Sequence, residues 1–363
     1  MTLPSVQINN LNLGQGGIAN IDNYFLFVGS VTTPAGELHY LDNSSDLDVL
    51  FGSAVSPLKT TITNARLNAG TNWHGIARTI GTTETAETVI DQTLDTSTVE
   101  GIVICDPAIS SAALDAWGQK AVSLATQARR VFIMVSLPAH DPATQTWADY
   151  VTASAAISDS VFHDRLICVA PVFGSELGIL AGRLSNSSVS IADTPYRTKT
   201  GSLVGLETPR PLDSAGIEIN SSHISALEAK RLSVPMWFDD FDGNYWSEAN
   251  TLAVEGSDYS ILSYLRVIDK ASRAVRKMAL QRIGDRTLNN TPQGSASAIA
   301  FFTQPLTKMA AAKEIEPPTA QAVALAWSGT SISVYLTLRP FKAPKNITVN
   351  LSLDLSDAAA VEA

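Results

Sequence analysis

The sequence predicts a mixed α/β chain, α+β overall, and three observations carry that expectation. Between about Glu100 and Leu184, short apolar runs alternate three times with helical stretches. Near the C-terminus two runs alternate apolar and polar residues strictly. At the start, a strand-like stretch with too little apolar surface to fold alone precedes Gly14-Gln15-Gly16-Gly17.

In chain order, Val6, Ile8, Leu11 and Leu13 give the first stretch its alternation, and it reads as an extended arm that another sheet must complete. From Ile21 to about Ile80 a small α/β unit follows. Tyr24 to Gly29 is its first strand, Asp46 caps a short helix toward Phe51, Pro57 to Leu67 is a second helix, and Trp73 to Ile80 is a strand. The middle region has strands at Ile102–Cys105, Val131–Val135 and Leu166–Ala170. Its helices are Ala112–Ala128, Trp147–Ile157 and Glu176–Leu184. Fully apolar short strands between amphipathic helices indicate a parallel sheet covered on both faces. Residues 186–234 are polar and turn-rich and read as a surface excursion.

A long helix is expected from about Tyr259 to Arg282, with Ile261, Leu265, Ile268, Val275 and Ala279 on one face. Its charge is unusual: Arg266, Lys270, Arg273, Arg276, Lys277, Arg282 and Arg286 stand against only Asp269 and Asp285. Residues 259–288 therefore carry +5, which leaves −15 on the rest of a chain whose net charge is −10. The bland reading is a solvated helix face; the functional one is a dock for an acidic partner, setting orientation more than affinity. A second helix, about Ser295 to Ala312, bears Lys308 and Lys313 and ends before Pro317-Pro318. Then Ile332, Val334, Leu336 and Leu338 alternate with polar partners, as do Ile347, Val349, Leu351, Leu353 and Leu355. Each run predicts a strand with one buried face.

Composition narrows the function. With 45% hydrophobic and 17% charged residues in 363, the chain has room for two or three domains and is not of disordered type. Its acidity argues against direct nucleic-acid binding, which needs a basic surface. Cys105 and Cys168 sit inside apolar runs and read as small core residues, implying a cytoplasm-like folding compartment. No signal peptide and no 18-residue apolar run is present, so no membrane insertion is expected. The turns after the three middle strands lack the glycine pattern that admits phosphates. The five histidines are scattered without metal-ligand spacing. Asp239-Asp240-Phe241-Asp242-Gly243 has its glycine misplaced for an EF-hand loop and reads as a solvated turn. No catalytic residue, metal site or cofactor is expected.

Several stretches resemble one known family. YFLFVGS at 24–30, LDVLFGS at 47–53 and ARLNAGTNWHGIARTIG at 65–81 resemble the N-terminal part of the contractile tail sheath proteins of phages and related particles. MWFDDFDGNYWSEANTLAVEGSDYSILSYLRVIDKASRAVRKMAL at 236–280 is similar to a compact, phage-encoded branch of them. VYLTLRPFKAPKNITVNLSLDL at 334–355 resembles their closing strands. The order of the elements carries the match, since no single motif is as specific as a zinc signature.

The resemblance implies a non-enzymatic subunit of six-fold rings stacked helically around a tail tube, contracting without nucleotide. It implies an arm at 1–20, an N-terminal part of the core at 21–85, an outer α/β unit at 86–235, a C-terminal core at 236–346 and a closing strand or arm at 347–363. The core's mixed sheet would come from the N- and C-terminal parts. Residues 3–13 and 347–355 are the expected inter-subunit strands. Arg273, Arg276, Lys277, Arg282, Lys308 and Lys313 are the candidate tube contacts. Expected partners are further copies of the chain, the tube, and baseplate and terminator proteins, in a virion tail assembled in a bacterial cytoplasm. Two alternatives stay open on the residues alone: a tube or terminator subunit, and an α/β nucleotide-binding enzyme.

Overall fold

The computed structural model describes residues 21–31, 36–206 and 209–349. The expected arm at 3–13 and the end of the expected last strand lie outside these residues.

Eleven strands and nine α-helices are formed by the described residues. The first part supplies β1 (Phe25–Ser30), β2 (Leu38–Asp42), α1 (Leu47–Phe51), α2 (Pro57–Asn68) and β3 (His74–Ile80). Asp46 caps α1 as the sequence predicts, its carboxylate accepting from the amides of Asp48 and Val49. The middle part is α3 (Ala86–Thr96), β4 (Gly101–Ile104), α4 (Ser111–Thr126), β5 (Phe132–Ser136), α5 (Trp147–Ser158), β6 (His163–Val169), α6 (Glu176–Leu184) and α7 (Ser221–Glu228). A hairpin of β7 (Pro235–Phe238) and β8 (Phe241–Trp246), then β9 (Thr251–Leu252), leads into α8 (Leu262–Leu280) and α9 (Pro292–Ala311). A last hairpin, β10 (Val323–Ser328) and β11 (Ser331–Leu336), follows.

One sheet organises the chain, in the order β2-β3-β1-β4-β5-β6-β9. The five inner strands run parallel, while β2 and β9 close the edges antiparallel. The central stretches of β1, β4, β5 and β6 are wholly apolar because both faces of the sheet are covered there. Leu26, Ile102, Ile133 and Leu166 point to a core shared with α3, α4, α5 and α7. Phe27, Val103, Met134 and Ile167 point to one shared with α1, α2, α6 and the start of α8. Helices α2 and α6 meet backbone to side-chain-free backbone: a Cβ on Gly178 or Gly182 would stand 2.2 Å from the carbonyl oxygen of Thr61 or Ala65.

The fold class is as the sequence predicts, with a mixed sheet between helices, but two readings need correction. The boundary at 85/86 does not divide the sheet, because β1 pairs with both β3 and β4. A unit beginning at 86 would leave β1 half-paired. The 186–235 segment is more than a surface excursion, since Ile191, Leu203, Ile219, Leu227 and Val234 are buried and α7 covers α5. Residues 347–349, the described start of the inter-subunit strand expected at 347–355, carry no strand pairing among the described residues.

The C-terminal part builds a third core. Val267, Ala271 and Val275 of α8 pack with Phe302, Leu306 and Met309 of α9, and β10–β11 lies on them through Val323, Leu325, Val334 and Leu336. Helix α8 therefore belongs to two cores at once.

Candidate assembly interface

Helix α8 crosses the sheet at the N-terminal ends of β1, β4 and β5, and its charges are mostly spent there. Arg266 donates from Nε and Nη2 to the two carboxylate oxygens of Glu100 at 2.8 and 2.7 Å, and from Nη2 to Asn23 Oδ1 at 2.7 Å. Both charged side chains are at most 2% exposed. Asp269 accepts a two-pronged pair from Arg165 of β6 at 2.6 and 2.7 Å. Lys270 bridges Asp22 and Glu314, each at 2.6 Å. Burial works against its ammonium, but the hydrogen bonds and charges of those two carboxylates outweigh it and raise its pKa. Arg273 donates to Asp22 at 3.2 Å and to the Arg130 carbonyl at 3.4 Å. This half of α8 is neither a solvated face nor an open dock. It is a seam of ion pairs that fixes the C-terminal core to the sheet.

The candidate tube contacts accordingly separate. Arg273 is turned inward, its side chain 11% exposed. Arg282 pairs with Asp285 at 2.9 Å and lies over Phe301 at 5.1 Å. Arg276, Lys308 and Lys313 are exposed and Lys277 half-exposed, with no side-chain partner among the described residues. Glu100 and Asp22, the acids that neutralise the seam, were not singled out by the sequence reading, and no local pattern marks them: they stand 166 and 251 residues from their arginines.

Two buried acids depart far from ordinary behaviour. Desolvation pushes Glu176, at the start of α6, up to about 7 although backbone amides, Phe173 first, hold it down. Burial likewise pushes Glu248 up to about 7. At 0% and 2% exposure neither is presented to an outside reactant. Cys105 and Cys168 are free, buried thiols, raised in pKa by desolvation.

The second expected feature lies at the chain's end. Among the described residues the sheet of β10 and β11 has two strands. One face rests on α8 and α9, and beyond a single bridge between Ile315 and Pro340 its outer edges carry no ladder among the described residues. Strand β10 went unread in the sequence, although the two-residue Gly329-Thr330 loop between alternating runs is a hairpin signal. After β11 the chain runs over its own body, with Tyr196 Oη donating to the Ala343 carbonyl at 3.3 Å and Lys345 paired to Glu228 at 2.5 Å. Ile347 and Val349 of the expected arm are 81% and 73% exposed.

Comparison with known proteins places the chain. Residues 3–250 match the DUF2586 N-terminal domain and residues 258–356 the DUF2586 C-terminal domain. The chain belongs to the DUF2586 family. Within reach of it is a protein of Haemophilus phage HP1 (strain HP1c1) that bears the name tail sheath protein, 35% identical over 97% of this chain and 98% of the relative. Among solved structures, a chain of the anti-feeding prophage baseplate superposes with TM-score 0.63 at 13% identity, covering 98% of this chain and all of that one. The sheath tail protein of Desulfitobacterium hafniense gives 0.56 at 10% identity, covering 93% and 96%. Those likenesses show the fold. The expectation of a sheath-type, non-enzymatic tail protein agrees with the 35% identical phage relative, and the α/β enzyme alternative falls away. The family's two domains meet between 250 and 258, just before α8, where the seam joins the two bodies of this fold.

Proposed function

We propose that this DUF2586 chain is the subunit of a contractile tail sheath, stacking as hexameric rings around a tail tube and driving it through the host envelope. The observation that carries the reading is the half-built C-terminal sheet. A two-stranded ribbon is marginal by itself, and added strands would extend it through main-chain hydrogen bonds that fix register. Residues 3–13 of one neighbour and 347–355 of another are the strands proposed to add there. Glycines 14, 16 and 17 keep the first arm tethered while bodies move. A baseplate chain of like fold comes from a six-fold particle, and another from a contracted one, which supports the hexameric, contracting reading.

Lys308 of α9 and Lys313 in the turn after it are the proposed contacts to an acidic tube, because they are exposed while the inner half of α8 is neutralised. Contraction would be a downhill change between two sets of subunit contacts, needing no nucleotide. Baseplate and terminator proteins would cap the two ends, after assembly in the bacterial cytoplasm.

Electron microscopy of the negatively stained, purified chain tests the proposal: hollow tubes are expected. Removing residues 1–14 should leave a folded monomer that no longer polymerises, and tubes formed equally well without them would remove the arm from the scheme.

A further inference from the structure

Two solvent-facing patches of opposite charge remain unused by the seam and by the arms. The first is the tip of the β7–β8 hairpin, where Asp239, Asp240 and Asp242 surround Phe238 and Phe241, all exposed, the rings by 44% and 53%. Their carboxylates have no ion-pair or hydrogen-bond partner among the described residues. The second is the end of α8 and the turn after it. There Arg276, Lys277 and Arg286 surround Leu280 and Ile283, which are 53% and 76% exposed. These three basic side chains likewise have no partner among the described residues.

Both patches are held rigid despite facing water. Phe238 and Phe241 pack on Tyr245 with ring centres at 5.9 and 5.5 Å, and Tyr245 Oη donates to the Asp242 carbonyl at 2.9 Å. Arg210 lies 4.1 Å over Trp237 at the hairpin's base. At the other patch, Arg282 ties the turn by pairing with Asp285 and covering Phe301. Rigid apolar anchors ringed by charge lose little freedom on binding, which is the make-up of an interface centre. Within one copy the two do not meet. The hairpin begins where Ser233 bridges Val169, at the C-terminal end of β6, whereas α8 leaves the sheet at the N-terminal ends of β1, β4 and β5.

We infer that the acidic hairpin tip of one copy docks on the basic α8 turn of the next, Phe238 and Phe241 covering Leu280 and Ile283 inside a ring of opposite charges. The occupant is a second copy because both halves of the match lie on one chain. Two different patches pairing head to tail make a contact that either closes into a ring or continues as a helix. The contact deepens the sheath reading and rests on it for its place in a lattice, as a body-to-body joint separate from the arms. Its charges would act over about 8 Å at physiological salt, so it should weaken as salt rises.

Charge exchange tests it. One variant carries Asp239→Lys, Asp240→Lys and Asp242→Lys; the other carries Arg276→Glu, Lys277→Glu and Arg286→Glu. Sedimentation velocity at low salt reads self-association, with thermal melting as the check that both variants fold. Each variant alone should need about ten-fold or more higher concentration to associate than the wild type. The two mixed together, and a chain carrying all six changes, should recover association. Association indifferent to either reversal, or absent from the mixture and the six-fold variant, overturns the pairing. The two readings also fail separately under the microscope. Tubes from both reversed variants would keep the sheath and sink the pairing, while salt-sensitive pairs from a wild type that forms no tubes would do the opposite.

Discussion

The seven-stranded sheet and the two-stranded hairpin at its far end are made of similar residues and end up in opposite conditions. In the large sheet Val103 is fully buried, and short antiparallel strands close both edges. In the hairpin, Val334 and Leu336 cover one face of the third core, Tyr335 stands 60% exposed on the other, and beyond one bridge the edges carry no ladder among the described residues. The difference is one of completion: among the described residues the first sheet is closed at both edges, and the second is not. Under the proposed function, that open hydrogen-bonding capacity is what strands of other copies would take up.

The strongest way to break the finished region is at its seam. Arg266→Met leaves Glu100 buried without its counter-ion and should cost about 3–5 kcal/mol, read by urea unfolding. The double change Glu100→Leu with Arg266→Met should cost much less, because no charge is then left alone.

Glu176→Gln sharpens the same region through pH. Because burial raises the folded pKa from 4.5 to about 7, the stability the acid contributes is present below 4.5 and is lost as the pH climbs through 7. Wild type and variant should match near pH 4, and above pH 7 the variant should be the more stable by about 3 kcal/mol. Parallel unfolding curves at every pH would refute the buried acid.

One substitution made in both regions then compares them directly. Val103→Ala should cost about 2–3 kcal/mol and Val334→Ala below about 1 kcal/mol, since the second side chain is half in water already. Hydrogen exchange should likewise find β11 amides quick in the free chain and slow in tubes, with those of β4 slow in both. The smallest effect is expected from Lys308→Glu with Lys313→Glu, which should leave unfolding unchanged while weakening docking onto the tube. A tube bound as tightly by that variant would move the contact off α9.

The inner strands and their helices were legible because burial on both faces forces short, wholly apolar runs, as at 102–105, 131–135 and 166–169. Strand β2 was not, since an edge strand with only Leu41 buried has no such run. Helix α7 hid inside a polar stretch that buries only Ile224 and Leu227 of its eight residues. Of the candidate interface, the alternation of the last strand was visible. The pairing that neutralises half the basic helix was not.

The periodicities, the caps and the charge of each element are written in the residues alone, because these depend on neighbours a few residues away. They therefore announced an α/β body, a basic helix and alternating ends. Which charges face inward was settled by the fold, because Arg266 meets Glu100 across 166 residues of chain and Arg273 meets Asp22 across 251. An ion pair forms where packing brings its members together, and that position is a property of the whole fold.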